Sequence, residues 1–424
     1  MRKNGKALRM IALLLAVVTS ILSLSSCMYL LPTNSDQYMT EEEVRDLIAG
    51  NMSGNVSIGE VKDYDITINT SGDRNLVAAT KGVLSAVSVR CKFNITTGFG
   101  SQTTTATSAG AGVIYKLDKT EGDAYIITNY HVVYEARSKT SNRISNNISV
   151  YLYGMEDDAY AIPATFVGGS MTQDLAVLRV EDSRVLAESN AMEVSFADSD
   201  EISILDTAIA IGNPEGEGIS ATVGCINVDS EEIQMYAADG VTRIKLRLLR
   251  IDTAVNSGNS GGGLFDDSGR LIGIVNAKIA ADGIDNIGYA IPSNIVKAVA
   301  ENIIHYCDTT TKENPYRFII GITMGKSAMY TVYDEETGRV HKREDVNVAS
   351  ITAGSIAENY FEVGDILKSI TIDGVKYEIN RKFQITDRMY SVYENSTVVI
   401  EAVRGDVPFT VEISFAGMSP EKVS

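Results

Sequence analysis

The sequence predicts a mainly β protein: a body of many short strands forming a sandwich or barrel, followed by a smaller α+β unit. Three observations predict it. Between about Asn75 and Pro292, short apolar runs recur, such as Gly112 to Tyr115, Ala124 to Thr128, Ile148 to Tyr153, Leu175 to Val180, Ala208 to Ile211 and Leu271 to Val275, divided by Gly, Asp and Asn turns. A helical stretch opened by Ser293 then places Ile295, Val296, Val299 and Ile303 on one face. Residues 317 to 415 return to strands with two short helices. At 424 residues, 44% hydrophobic and 22% charged, the chain is long enough for two or three domains with a sizeable core.

The N-terminus reads as an address. Arg2, Lys3, Lys6 and Arg9 precede an apolar run, Met10 to Leu22, too short for a comfortable membrane span. Leu24-Ser25-Ser26-Cys27 follows and resembles the lipobox of bacterial lipoproteins, which implies that residues 1–26 are a signal peptide and that Cys27 carries the lipid. The expected location is the bacterial cell envelope, outside the cytoplasmic membrane and anchored through that lipid. Residues 27–78 are a polar spacer in which Thr40-Glu41-Glu42-Glu43-Val44 offers a capping box for a short helix to about Ile48. The body then runs over 79–308, a linker over 309–316, the smaller unit over 317–416 and a tail over 417–424.

Charge and cysteines exclude several classes. A net charge of −18 argues against nucleic acid or an anionic lipid surface as a partner through bulk electrostatics. Cys91, Cys225 and Cys307 are far apart without a CxxC pair, so neither a disulfide framework nor a zinc site is indicated. No phosphate loop appears, and no cofactor or metal is expected.

Residues 256 to 269, NSGNSGGGLFDDSG, are either a flexible linker or the cradle of a reactive serine. A serine hydroxyl attacks at neutral pH only with a base in hydrogen-bond reach and an acid that holds the base. The chain has three histidines, 131, 305 and 341. His131 ends an apolar run in a position where a strand would deliver its ring to a loop edge. Asp174 precedes the apolar strand Leu175 to Val180. In Gly258-Asn259-Ser260-Gly261-Gly262 the glycines permit a tight turn that aims the amides of Gly258 and Ser260 at one oxyanion. His, Asp and Ser arrive in the chain order of chymotrypsin-like enzymes. His305, at a helix end, reads as a partly buried structural residue, and His341 as solvated. Arg404-Gly405-Asp406 matches an adhesion tripeptide but reads as a hairpin turn between two strands. The Gly, Ser and Thr run from Gly98 to Gly110 reads as a mobile loop.

TNYHVV, QDLAVLRV, NSGNSGGGLF and IGYAIPSN (Ile287 to Asn294) together resemble the signature segments of the HtrA family of trypsin-like serine proteases, over about residues 80 to 300. The resemblance implies a chymotrypsin-like double β-barrel with catalytic His131, Asp174 and Ser260 in the cleft between barrels and an oxyanion hole at Gly258 and Ser260. Ala254, six residues before Ser260, would floor the specificity pocket, walled by Ala277, Gly288, Tyr289 and Ala290. With no charge there, small or medium apolar side chains should enter. The C-terminal unit is similar to a PDZ domain, with Ile319, Ile320, Gly321 and Ile322 as its carboxylate-binding loop. The chain departs from the family at Ser257, usually Pro, and at Gly263, usually Pro or Ala. Both departures predict a softer loop and an oxyanion hole ordered only by a bound peptide. Asn259 in place of an Asp leaves no carboxylate for a new N-terminal amine, so activation by cleavage is not expected.

The function implied is a serine endopeptidase that cuts unfolded, misfolded or damaged envelope proteins, with C-terminal peptides bound at the PDZ-like unit. Family members commonly form trimers, so the resemblance admits a homotrimer. The rival reading is a catalytically silent, protease-like scaffold that binds peptides or chaperones clients.

Overall fold

The computed structural model describes residues 74–97, 102–279, 287–307 and 314–423. The expected signal peptide, Cys27 and the spacer up to residue 73, with its expected helix to about Ile48, lie outside the described residues.

Two closed six-stranded barrels form the body. The first has the order β1-β2-β3-β6-β5-β4, from β1 (Ala86–Thr97), β2 (Gln102–Asp118), β3 (Asp123–Thr128), β4 (Asn147–Leu152), β5 (Ile162–Ser170) and β6 (Leu175–Val180). The second has the order β10-β11-β12-β9-β8-β7, from β7 (Thr207–Gly212), β8 (Ser220–Tyr236), β9 (Arg243–Ile251), β10 (Gly263–Phe265), β11 (Leu271–Val275) and β12 (Gly288–Pro292). Strand alternation divides the apolar residues between two cores. Ile126 and Leu178 fill the first barrel with Val89, Ile114 and Val150. Their neighbours Ile127 and Val177 face outward into a seam, where they join Ile209, Ile211, Phe265 and Ile274 of the second barrel.

Residues 102 to 110 belong to β2, not to a mobile loop, with Gln102 to Gly110 paired against Thr97 to Val89 of β1. Backbone pairing satisfies a polar Gly, Ser and Thr run as well as an apolar one. A helix over Arg74–Ser85 buries Ala78, Gly82 and Ser85, so ordered structure begins before the expected start of the body at 79. The helix Ser293–Cys307 forms where expected and adds Ile295, Val296, Val299 and Ile303 to the seam.

The C-terminal unit is a sheet in the order β14-β15-β16-β18-β19, with β17 on β16. Its strands are β14 (Ile322–Asp334), β15 (Arg339–Ile351), β16 (Ile366–Ile372), β17 (Val375–Glu378), β18 (Thr397–Arg404) and β19 (Val407–Ser414). Phe318, Val346, Val348, Ile370, Ile400 and Phe415 lie in its core. The expected tail is not wholly loose, because β20 (Glu421–Lys422) pairs with β13 (Tyr316–Arg317).

This sheet is fastened to the second barrel. Arg247 reaches Asp387 at 2.6 Å, Arg381 reaches Asp229 at 2.8 Å, Arg388 reaches Asp200 at 3.0 Å and Arg339 reaches Asp206 at 2.8 Å. The Arg247 guanidinium also lies 3.9 Å from the centre of the Phe383 ring. Asn302 Nδ2, on the helix Ser293–Cys307, donates to the carbonyls of Tyr316 at 2.8 Å and Tyr390 at 2.7 Å. His341 is buried rather than solvated, since β15 lies against the barrel in a crevice lined by Asp200, Asp229 and Arg247. His305 is half exposed, with its ring 4.3 Å from that of Tyr393. The Arg404-Gly405-Asp406 turn joins β18 to β19 with Gly405 at φ +57°. The guanidinium of Arg404 donates to Asp365, Glu362 and the Tyr360 carbonyl.

Candidate active site

The three residues singled out in the sequence meet at the junction of the barrels. His131 sits in a one-turn helix, Tyr130–Val133, immediately after β3, rather than on a strand end. Asp174 lies just before β6 at φ +52°, a left-handed conformation that Asp tolerates better than most residues. That turn aims its carboxylate at His131: Oδ2 is 2.7 Å from Nδ1, and Oδ1 accepts the His131 backbone N–H at 3.0 Å. Its carbonyl accepts from Tyr130 N at 3.1 Å and Asn129 Nδ2 at 2.8 Å. Asp174 is 3% exposed, so the carboxylate acts in a medium where hydrogen bonds to a charge are strong.

Ser260 occupies the turn before β10. The Asn259 N–H bonds the Asn256 carbonyl at 3.0 Å, closing a β-turn. Of its two central residues, Ser257 and Gly258, only Gly258 has a positive φ, +96°. A positive φ at the second central position alone is the type II pattern, which calls for glycine. The next constraint is steric. At Gly261 a Cβ would lie 2.2 Å from the Ala111 carbonyl oxygen, so the chain after the serine passes against the first barrel. Ala111 N donates to the Ser260 carbonyl at 2.8 Å, which fixes the serine across the seam. Among the described residues, the amides of Gly258 and Ser260 donate to no protein group. They are therefore available to an oxyanion.

The Ser260 hydroxyl accepts a hydrogen bond from Ala277 N at 3.2 Å, and among the described residues no hydrogen bond joins it to His131. Asn276, just before Ala277, donates from Nδ2 to Asp174 Oδ2 at 2.8 Å. One dipeptide after β11 thus touches both the serine and the acid. Lys278 follows in the 3-10 turn Ala277–Ile279, where Nζ donates to the carbonyls of Ala237 at 2.7 Å and Tyr236 at 3.2 Å, at the end of β8. Burial lowers its pKa, while the charges of Asp174 and Asp239 act the other way. The sequence reading missed Asn129, Asn276 and Lys278. A polar residue directly after the all-apolar strand Leu271–Val275 is the signal that could have found Asn276.

Gly263 is not part of a soft loop. It is a buried β10 residue paired with Ile211 and Ile274. A Cβ there would lie 2.4 Å from Cε2 of the Phe265 ring. Glycine makes room for that ring.

Around the expected specificity pocket, Ala254 is exposed and its carbonyl accepts from Thr222 Oγ1 at 3.1 Å. Gly288 lies under Val255, whose Cγ2 is 2.7 Å from where a Cβ would stand. The Tyr289 carbonyl accepts from Asn276 N at 2.8 Å. Ala290, expected in the wall, is fully buried in the interior of the second barrel with Ile251 and Val275. Of the C-terminal residues, Ile319 is 44% exposed, Ile320 is buried and Gly321 has φ +93°. The carbonyl of Gly321 accepts from Thr352 N at 2.8 Å, and that of Ile320 from Ala357 N at 3.1 Å.

Residues 110–274 match the trypsin-like peptidase domain family. The chain is 38% identical over 222 residues to the serine protease Do-like HtrA of Bacillus subtilis, an alignment that covers 52% of this chain and 43% of that protein. It is 30% identical over 319 residues to the serine protease Do-like HtrA of Lactococcus lactis subsp. lactis, covering 73% of this chain and 71% of the relative. It is 27% identical over 308 residues to the periplasmic pH-dependent serine endoprotease DegQ of Escherichia coli, covering 72% and 58%. The double barrel, the cleft and this extent of identity place the chain in the HtrA, or Do-like, family of trypsin-like serine proteases.

Proposed function

We propose that the chain cuts unfolded or damaged proteins of the cell envelope, with Ser260 as nucleophile, His131 as base and acid, and Asp174 as the group that orients His131. The observation that carries this reading is the 2.7 Å contact of Asp174 Oδ2 with His131 Nδ1 beside a serine flanked by two undonated amides. On substrate binding the Ser260 hydroxyl turns from Ala277 N to the His131 ring. Its oxygen bonds to the peptide carbonyl carbon while its proton passes to Nε2. The oxyanion accepts from the amides of Gly258 and Ser260. Collapse of the intermediate breaks the C–N bond as Nε2 returns the proton to the leaving amine. Water then repeats the sequence and frees the acid.

The envelope setting is supported by the lipobox-like Leu24 to Cys27 and by a relative named as periplasmic. Cys27 is proposed as the lipid anchor. The C-terminal unit is proposed as a PDZ-like domain that takes a C-terminal peptide at Ile319 to Ile322, the stretch leading into the free edge of β14. Ala254 sets a preference for small or medium apolar residues.

Labelling with a fluorophosphonate probe tests the reading, comparing the native chain with Ser260→Ala, each with and without C-terminal peptides. Labelling of the native chain alone supports a competent serine. No labelling, even with peptide, supports the silent scaffold instead. A peptide library cut mainly after Lys or Arg would overturn the pocket assignment.

A further inference from the structure

Lys278 brings a positive charge close to the serine. Ala277 N lies 3.2 Å from the Ser260 hydroxyl, and Lys278 is the next residue, its Cα about 3.8 Å from that of Ala277. The side chain is exposed, yet it is not loose. The carbonyls of Ala237 at 2.7 Å and Tyr236 at 3.2 Å pin its Nζ. Most exposed lysines sample many rotamers and lose that freedom when they meet an anion. Here two bonds within the chain have already removed much of it.

Neither bond neutralises the charge. An ammonium has three donors, and among the described residues Nζ uses two, both on neutral oxygens. The two carboxylates whose charges act on Lys278, those of Asp174 and Asp239, are engaged by other donors. Asp174 holds His131 and Asn276 Nδ2. Asp239 accepts from Val241 N, Thr242 N and Thr242 Oγ1 within its own turn. With a net charge of −18 the chain as a whole repels acidic segments, and a fixed cation beside the nucleophile offsets this where the bond is cut. We propose that Lys278 is a specificity-determining residue whose ammonium takes the carboxylate of a substrate Asp or Glu near the cut. Lys278 stands one residue from the group that touches Ser260, and an extended substrate advances about 3.3 Å per residue, so the acid lies within about three residues of the bond. The inference rests on the protease reading above and narrows its substrate class to chains with an acid close to the apolar residue that enters the pocket.

The kcat/KM values of a peptide series test it. All peptides carry the same apolar residue at the cut, and Asp, Asn or Lys is moved through the three positions on either side. At one position the native chain should cut the Asp peptide roughly threefold to fivefold faster than the Asn peptide, as an exposed ion pair gives, and the Lys peptide more slowly than both. Lys278→Arg should keep that order, Lys278→Gln should level it and Lys278→Glu should reverse it. The preference should shrink as ionic strength rises from about 0.05 M to about 0.5 M. Equal cutting of Asp and Asn peptides by the native chain at every position would overturn the proposal. So would a loss in Lys278→Gln that is the same for every peptide, the mark of a residue that only ties its turn to β8. A chain that cuts none of the peptides sinks the protease reading separately. Fluorescence anisotropy of the same peptides on Ser260→Ala, with and without Lys278→Glu, then reads the charge preference as affinity, with the same outcomes for and against.

Discussion

Asn276 donates to Asp174 Oδ2 at 2.8 Å, the same oxygen that His131 Nδ1 reaches at 2.7 Å. The next residue, Ala277, holds the Ser260 hydroxyl. The end of β11 therefore sets the aim of the Asp174 carboxylate and the resting position of the Ser260 hydroxyl together. Asn276→Ala should leave a buried carboxylate short of one donor. A hydrogen bond to a charged group contributes about 1.5–3 kcal/mol, so kcat/KM should fall roughly tenfold to a hundredfold. Steady-state kinetics check this, with thermal unfolding as control; an unchanged kcat/KM would remove Asn276 from the machinery.

Gly263→Ala separates two accounts of one position. If glycine there only loosened a loop, alanine would stabilise the protein by about 0.4–1 kcal/mol. The Phe265 ring stands in the way of a Cβ, and overpacking a full core costs about 1–3 kcal/mol. Urea unfolding should show the variant to be less stable, and a gain in stability would contradict the packing account.

Arg404→Ala should weaken the C-terminal unit in a pH-dependent way. Burial alone would raise the pKa of Asp365, but its bonds to Arg404 and to Glu362 N outweigh that and hold it below the ordinary carboxylate value. A carboxyl with a depressed folded pKa adds stability above its unfolded pKa, about 3.9, and loses that contribution as pH falls through the folded value. At neutral pH the variant should be less stable than the native protein, because the buried Asp365 loses two charged hydrogen bonds. Acid titration of both proteins should show the difference shrinking below about pH 4. A constant gap down to acid unfolding would show that Arg404 acts by packing alone.

The cleft was legible in the sequence because each of its three residues carries a local signature: a histidine after an apolar run, an acid before one, a serine among glycines. The supports of the site were not, because each depends on a distant partner. Nothing near Asn276 in the chain points to Asp174, and nothing near Arg247 points to Asp387. Composition misled in two places. His341 stands among charged residues yet is buried where its strand meets the barrel, and the polar run ending at Gly110 became a strand because β1 satisfies its backbone. Gly263 read as softness until the position of the Phe265 ring was known.

The ion pairs from Arg247, Arg381, Arg388 and Arg339, with the Asn302 bonds, hold the C-terminal sheet to the barrel that carries Ser260. On the proposed seating of a polypeptide end at Ile319 to Ile322, a fastened sheet would hold that end at a constant interval from Ser260, and the first products would then share a common length.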